Sequence, residues 1–261
     1  CVLPENASIP VRLEYAQGTG PVQIALEWIT PPVDDQTAAA VALAQQADVV
    51  VFVGGISAQL EGEEMEVDYD GYTGGDRQRI ELPELQQHLL EQLQATGKPI
   101  VFVNLSGSAM AMPGAAEKAH AIVQAWYPGQ AGGTAVAEVL LGNYNPAGRL
   151  PVTFYRATED LPDFKNYDMA GRTYRYFGGQ PLFPFGHGLS YTRFDYANLR
   201  VTPAAGGGLR VSFDLTNTGS RDGDEVVQLY AVPPAGARPG EIQSLCGFRR
   251  VSLGKGETRR V

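Results

Sequence analysis

The chain of 261 residues is 44% hydrophobic and carries a net charge of −9. This is typical of roughly two globular domains and, without any basic cluster, argues against nucleic acid as a partner, since phosphate binding needs a positive surface. No apolar run reaches the ~20 residues of a membrane-spanning helix, and Cys1 and Cys246 define neither a disulfide framework nor a metal site.

The first predicted elements are two strands that form a β-hairpin. Apolar residues alternate from Val11 to Trp28 on both sides of a turn at Gly18–Gly20. Because two strands alone are not stable in water, we expect further structure upstream. A turn at Gly254–Gly256 followed by an unfinished strand indicates the same for the other end. We therefore interpret the chain as a fragment at both ends.

From Gln36 onwards helices and strands alternate, which predicts an α/β fold with a mostly parallel sheet sandwiched by helices. The strand that ends at Val53 has no polar residue on either face, which is typical of a buried parallel strand. Ligands of such sheets bind beyond the carboxyl ends of the strands, so the loop after Val53 is a candidate site. The predicted elements are helix Gln36–Ala47, strand Val49–Val53, a helix from Glu84 with apolar positions Leu85, Leu89, Leu90 and Leu93 and a cap at Gly97, strand Ile100–Asn104, strand Ala121–Gln124 and helix Gly132–Leu141.

The character of the sequence changes again after about Arg193. Short apolar alternations, such as Leu209, Val211 and Phe213, are separated by Gly-rich turns, and no helical pattern appears. This predicts an all-β sandwich that is cut short at Val261.

The loop after the first strand is strongly acidic. Like charges at short distance disfavour one another's ionisation, and burial adds to this effect. A carboxylic acid that must carry a proton at neutral pH needs such surroundings, as the acid of a glycosidase does. An acidic run is, however, more often a solvated loop, and the residues alone favour that interpretation. The six carboxylates are Glu61, Glu63, Glu64, Glu66, Asp68 and Asp70.

Other motifs do not meet the patterns that they suggest. Asp68–Asp76 lacks the spacing of a calcium loop, Ser106–Ser108 lacks the G-x-S-x-G of a nucleophile turn, and Gly129–Gly133 lacks a phosphate-binding fingerprint. We expect neither a metal nor a cofactor. Structural roles are expected for the histidines, which have no partners at ligand spacing. These are His88, His120 and His187.

Two aromatic-rich segments, Trp126-Tyr127 and Arg172–Phe177, allow two interpretations. Aromatic faces stack on sugar rings, but the same side chains also fill protein cores. Both interpretations remain open at this point.

Four long segments resemble the signatures of family 3 glycoside hydrolases, and the similarity extends from about Asp35 to Val261. The opening hairpin, Ile9 to Pro32, resembles the last strands of a PA14 domain. The four segments are Ala125–Thr134, Leu141–Phe154, Met169–Phe177 and Phe183–Thr192.

The resemblance implies a layout of domains. Family members have a barrel with an Asp nucleophile, then an α/β sandwich with a Glu acid/base, then often an immunoglobulin-like (fibronectin type III-like) domain. Residues 1–33 would end a PA14-like domain, 34–193 would form the sandwich, and 194–261 would form a truncated fibronectin type III-like domain. No segment matches the barrel or its Ser-Asp-Trp motif, so we expect a barrel segment or chain of the same enzyme as partner.

The resemblance also assigns the acid/base, which overturns the interpretation of a merely solvated loop. Relatives read Gly-Glu-Gly or Glu-x-Glu here, followed by Gly-Asp-Arg. Matching these to Glu61-Gly62-Glu63 and Gly75-Asp76-Arg77 gives Glu63, with Glu61 as second choice.

The activity implied is that of a retaining, exo-acting β-glycosidase that is secreted or periplasmic, and a homodimer is compatible with it. The substrate would be a β-glucoside, with a β-xyloside as the alternative. A non-catalytic carbohydrate-binding or scaffold protein is the rival from another class.

Overall fold

A computed structural model describes residues 36–74 and 76–261. The predicted N-terminal hairpin, the PA14-like segment and Gly75 lie outside the described residues. None of the helices in the described ranges has the length and apolar character needed to span a bilayer. The helices are α1 Gln36–Gln46, α2 Ala58–Glu61, α3 Glu84–Ala95, α4 Pro113–Lys118, α5 Gly132–Leu140 and α6 Thr173–Tyr176.

The strands form parallel pairs in the first part of the described chain and antiparallel pairs in the last part. The α/β fold followed by an all-β part is therefore confirmed. The strands are β1 Val50–Gly55, β2 Tyr72–Thr73, β3 Asp76–Arg77, β4 Ile100–Leu105, β5 Ala121–Gln124, β6 Phe194–Pro203, β7 Leu209–Asn217, β8 Gly223–Ala231, β9 Ser244–Leu253 and β10 Thr258–Arg260.

The parallel sheet has the order β1-β4-β5. Strand β1 pairs with β4 from Val50–Ile100 to Gly55–Leu105, and β4 pairs with β5. Buried apolar side chains hold helices to this sheet, among them Phe102 at 0% and Leu90 at 3% exposure. The same register brings the carboxyl ends of all three strands to one edge of the sheet.

The burial predicted for both faces of the first strand is wrong. Phe52 is buried at 9% exposure, but Val51 and Val53 on the opposite face are 50% and 58% exposed. Alternate side chains of a strand point to opposite faces, and β1 lies at the edge of the described sheet. An apolar strand sequence indicates that both faces can be covered, but not that both are.

Helix α3 also differs from its prediction at one position. Leu90 and Leu93 are buried, as expected from an apolar face, but Leu85 is 75% exposed. It lies in the first turn, next to the start at Glu84. The predicted cap is confirmed in that Gly97 has a φ of 72°, the left-handed conformation that favours glycine at a helix end.

The last part of the chain consists of two antiparallel sheets, β10-β7-β6 and β8-β9. Their inner faces share a small core in which Leu215 is 0% and Leu253 is 2% exposed. Alternation of apolar and polar residues along each strand produces this arrangement. The two parts are joined by polar contacts, such as the ion pair between Arg149 and Glu225.

Candidate active site

The carboxyl ends of the three parallel strands lead into loops that meet at Glu61. Glu61 lies at the end of α2, in the loop after β1. Ser108, from the loop after β4, donates from Oγ to Glu61 Oε1 at 2.8 Å. Tyr127, from the loop after β5, donates its hydroxyl to Glu61 Oε2 at 2.6 Å. Both carboxylate oxygens of Glu61 are therefore hydrogen-bond acceptors.

Arg77 contacts Ser108 directly and lies close to Glu61. Its Nη1 donates to Ser108 Oγ at 2.9 Å, its Nη2 donates to the carbonyl oxygen of Ala109 at 2.8 Å, and Nη1 lies 4.0 Å from Glu61 Oε1. The side chain is 12% exposed. A buried guanidinium needs such partners, because burying an unpaired charge is costly.

The electrostatics of the cluster keep Tyr127 a hydrogen-bond donor. Burial, the hydrogen bond to Glu61 and the charge of Glu61 together raise the pKa of the Tyr127 phenol well above its usual range. Burial lowers the pKa of Arg77, and the neighbouring Tyr72 and Glu61 oppose that shift. The result is a set of fixed donors around one carboxylate.

The backbone of the acidic loop turns sharply directly after Glu61. Ser57 caps α2 by accepting a hydrogen bond from the Leu60 N–H at 3.2 Å. Gly62 ends the helix with a φ of 61°, and its N–H donates to Ala58. A Cβ at Gly62 would lie 2.2 Å from Val67 Cγ2, so the turn needs glycine for space as well as for conformation.

Glu63 lies in the turn that follows Gly62. Its side chain is exposed and has no partner among the described residues, and Glu64 beside it has a positive φ of 56°. The structure therefore separates the two predicted candidates: Glu61 is held by Ser108 and Tyr127, whereas Glu63 faces solvent. Asp70, further along, pairs with Arg79. No group of three His, Cys, Asp or Glu side chains is placed to hold a metal ion in the part of the chain that is described.

Several other sequence predictions are resolved by contacts. Ser106, in the segment that lacks the nucleophile pattern, donates from Oγ to the carbonyl oxygen of Ser108 at 2.8 Å and so stabilises the turn after β4. Trp126 packs on Phe154 with ring centroids 6.1 Å apart and so belongs to the core. Tyr174 likewise stacks on Phe185 at 4.3 Å.

Structural roles are confirmed for two of the histidines. His120 Nδ1 accepts a hydrogen bond from the backbone of Ile100 at 3.3 Å. His187 stacks on Phe183 at 5.3 Å, and burial together with Arg149 lowers its pKa.

Sequence reasoning missed the part that Ser108, Arg77 and Tyr127 play at this site. One signal was available: Ser108 and Tyr127 each follow a predicted strand by a few residues, as the acidic loop does. The carboxyl ends of neighbouring parallel strands share one edge, so these three loops had to converge there.

Comparisons with known proteins agree with the fold. Residues 5–191 match the model of the glycosyl hydrolase family 3 C-terminal domain, and residues 225–261 match that of a fibronectin type III-like domain. The chain is 51% identical over 210 residues to a xylan 1,4-beta-xylosidase of Xylanibacter ruminicola. The aligned region covers 80% of this chain and 24% of that protein. The chain is 36% identical over 237 residues to a periplasmic beta-glucosidase of Salmonella typhimurium, covering 85% of the chain and 30% of that protein.

Solved structures of similar sequence have the same fold. A beta-glucosidase from Kluyveromyces marxianus superposes with a TM-score of 0.76 at 32% identity, over 89% of this chain and 28% of that one. The chain thus spans between about a quarter and a third of the length of these relatives.

Proposed function

The chain belongs to glycosyl hydrolase family 3, and on this basis we propose that it is part of a retaining, exo-acting β-glycosidase. In this proposal residues 34–193 form the α/β sandwich domain, which carries the acid/base. Residues 194–261 belong to the fibronectin type III-like domain. A barrel segment of the same enzyme supplies the Asp nucleophile.

Glu63 is the proposed acid/base. It protonates the leaving oxygen of the glycosidic bond and then removes a proton from the water that hydrolyses the glycosyl-enzyme ester. One observation carries this assignment: Glu61 accepts hydrogen bonds through both oxygens, from Ser108 and Tyr127. An acid must present its own proton to the substrate, and a carboxylate surrounded by donors is badly placed to do so.

The geometry of a retaining enzyme requires the barrel to approach this loop. The two catalytic carboxyl groups lie about 5–5.5 Å apart in such enzymes. The exposed turn at Glu63 and Glu64 is accessible for such an approach. Burial of Glu63 by the barrel would then favour its protonated form.

Two sugars are candidates for the substrate. The β-glucoside predicted from the sequence corresponds to the name of the 36% identical relative. The second candidate, a β-xyloside, is favoured by the 51% identical relative, which is named a xylan 1,4-beta-xylosidase. Comparing kcat/KM for nitrophenyl glucoside and nitrophenyl xyloside on the full-length enzyme decides between them.

A secreted or periplasmic location is proposed in accordance with the periplasmic relative. The rival function, a non-catalytic carbohydrate-binding or scaffold protein, makes no use of an anchored acidic loop. Detectable glycoside turnover by the full-length protein eliminates this rival.

The assignment of the acid/base is tested by two matched variants, Glu63→Gln and Glu61→Gln, in the full-length enzyme. Loss of general acid catalysis lowers rates by about 10²–10⁴-fold. Glu63→Gln should show this loss on substrates with poor leaving groups and much less of it on nitrophenyl glycosides. Azide should restore its second step, because an anion attacks the ester without a general base. If azide rescues Glu61→Gln and leaves Glu63→Gln unchanged, the assignment is reversed.

A further inference from the structure

Two side chains that are distant in sequence contact the acidic loop at Glu61. Ser108 lies 47 positions and Tyr127 lies 66 positions after Glu61, and each occupies one oxygen of that carboxylate. They project from the loops after β4 and β5, whose strands form the rigid sheet beneath. Glu61 is thus tied to the sheet at two points other than its own strand.

The residues around Ser108 and Tyr127 allow their close contact with Glu61. Ser108 is itself held by Arg77, at 2.9 Å. Gly107, beside it, has no side chain, and a Cβ there would lie 2.7 Å from both Glu61 Oε2 and the Tyr127 ring. A larger residue at position 107 would therefore force the carboxylate or the phenol to move. The close approach of Tyr127 to Glu61 therefore depends on the backbone as well as on the two side chains.

The short helix that carries Glu61 has little stability of its own, although Leu60 and Val67 in this segment pack against the core. Helix α2 has only four residues, and isolated helices of that length are unstable in water. Glu61 is its last residue and Gly62 begins the turn that carries Glu63. Fixing the Glu61 carboxylate therefore fixes the point from which the turn starts.

We propose that Tyr127 and Ser108 are positioning residues that act through Glu61 to hold the Glu63 turn in the orientation needed for proton transfer. The proposal rests on the function proposed above, with Glu63 as the acid/base. Neither residue exchanges a proton with the substrate in this scheme. Misplacement of a catalytic group by about 1 Å can cost up to about 100-fold in rate, so the loss of one tie should be measurable.

The test is Tyr127→Phe in the full-length enzyme, with kcat/KM measured for substrates of graded leaving-group ability. Proton donation matters most for poor leaving groups. We expect kcat/KM to fall about 10-fold for alkyl glycosides and at most about 2-fold for dinitrophenyl glycosides, following the leaving-group dependence of general acid catalysis. A merely structural role would lower both by the same factor, and that result, or no loss at all, overturns the proposal.

A matched control removes a tyrosine hydroxyl elsewhere. Tyr191 donates its hydroxyl to the carbonyl oxygen of Val139 at 2.8 Å, far from the acidic loop in sequence and in contact with other elements. Tyr191→Phe should leave the leaving-group dependence of kcat/KM unchanged. If it changes that dependence as much as Tyr127→Phe does, the effect is not specific to the Glu61 contact and the proposal fails.

A double-mutant cycle tests whether Tyr127 acts through Glu61. If it does, Tyr127→Phe should cost much less in a Glu61→Gln background than in the wild type, since coupled residues are not additive. Fully additive losses contradict the proposal. Glu63→Gln is measured in parallel. If this variant leaves the leaving-group dependence of kcat/KM unaltered, the acid/base assignment has failed. If Glu63→Gln has its expected effect but the losses from Tyr127→Phe and Glu61→Gln are additive, only the positioning role is rejected.

Discussion

Arg149 and Glu225 form an ion pair between the two folded parts of the chain, with Nη2 and Oε2 2.7 Å apart and side chains only 11% and 14% exposed. Glu225 Oε1 also accepts a hydrogen bond from the Tyr196 hydroxyl at 2.9 Å. Removing one partner of a buried pair leaves the other charge uncompensated, which costs about 3–5 kcal/mol. We therefore expect Arg149→Met to lower the free energy of unfolding by about 3 kcal/mol or more, measured by urea denaturation of the chain.

A matched control is available in the exposed pair of Arg79 and Asp70, whose side chains are 53% and 75% exposed. Exposed pairs contribute about 0–1 kcal/mol, so Arg79→Met should change stability by at most about 1 kcal/mol. If the two variants lose equal stability, the Arg149 contact does not hold the two parts together.

The loop before β9 is tied to the α/β part through Glu241, and this tie should depend on pH. A hydrogen bond from Ser244, followed by those from Arg175 and Arg238, lowers the pKa of Glu241 from 4.5 to about 2. A carboxyl whose pKa is lower in the folded state stabilises the fold above the unfolded pKa and loses this contribution as pH falls through the folded value. Stability should therefore decline as the pH falls from about 5 towards about 2.

The measurement is the urea midpoint of wild type and Glu241→Gln at several pH values in this window. The variant should be less stable near neutral pH and should show a flatter decline towards pH 2. Glu159→Gln, at an exposed position, controls for the loss of a charge. Parallel curves for wild type and Glu241→Gln would contradict the proposed tie.

The chain alone is expected to hydrolyse no glycoside. The proposed acid lies in this chain, but the proposed nucleophile belongs to the barrel, and retaining catalysis needs both carboxyl groups. Pure chain is incubated with nitrophenyl glucoside and nitrophenyl xyloside, and release of nitrophenol is followed. Turnover that copurifies with the chain and is abolished by Glu63→Gln would mean that a nucleophile is present in these residues.

The order of helices and strands could be predicted from the sequence because local periodicity determines it. The short helix α4, Pro113–Lys118, was missed, since six residues that begin with Pro-Gly give no helical periodicity. The exposure of Val51 depends on which elements cover β1, and no local pattern contains that information.

The sequence indicates which loop carries the candidate site, but not which of its carboxylates is held by hydrogen bonds. The acidic residues and their place after the first strand of the parallel sheet follow from the sequence. The selection of Glu61 as the anchored carboxylate depends on Ser108 and Tyr127, 47 and 66 positions away. Only the packing of the three strands, not any nearby residue, determines that these side chains meet.

Gly62 offers the sharpest test of how the acidic loop is shaped. It combines a φ of 61° with a position where a Cβ would lie 2.2 Å from Val67 Cγ2, whereas Gly74 has a φ of 64° and open space around it. A non-glycine residue in the left-handed region costs about 1–2 kcal/mol. Gly74→Ala should therefore lose about that much stability, and Gly62→Ala should lose distinctly more because of the added clash.

A second substitution that removes the clash separates the cost of the left-handed conformation at Gly62 from the cost of the clash with Val67. The double variant Gly62→Ala/Val67→Ala shortens the side chain that clashes. Once the cost of Val67→Ala alone is subtracted, its loss of unfolding free energy should be as small as that of Gly74→Ala. In the full-length enzyme the same order should hold for kcat/KM on alkyl glycosides, since displacement of the turn moves Glu63. Equal stability of Gly62→Ala and Gly74→Ala would mean that Val67 yields freely and that the turn is not held by this contact.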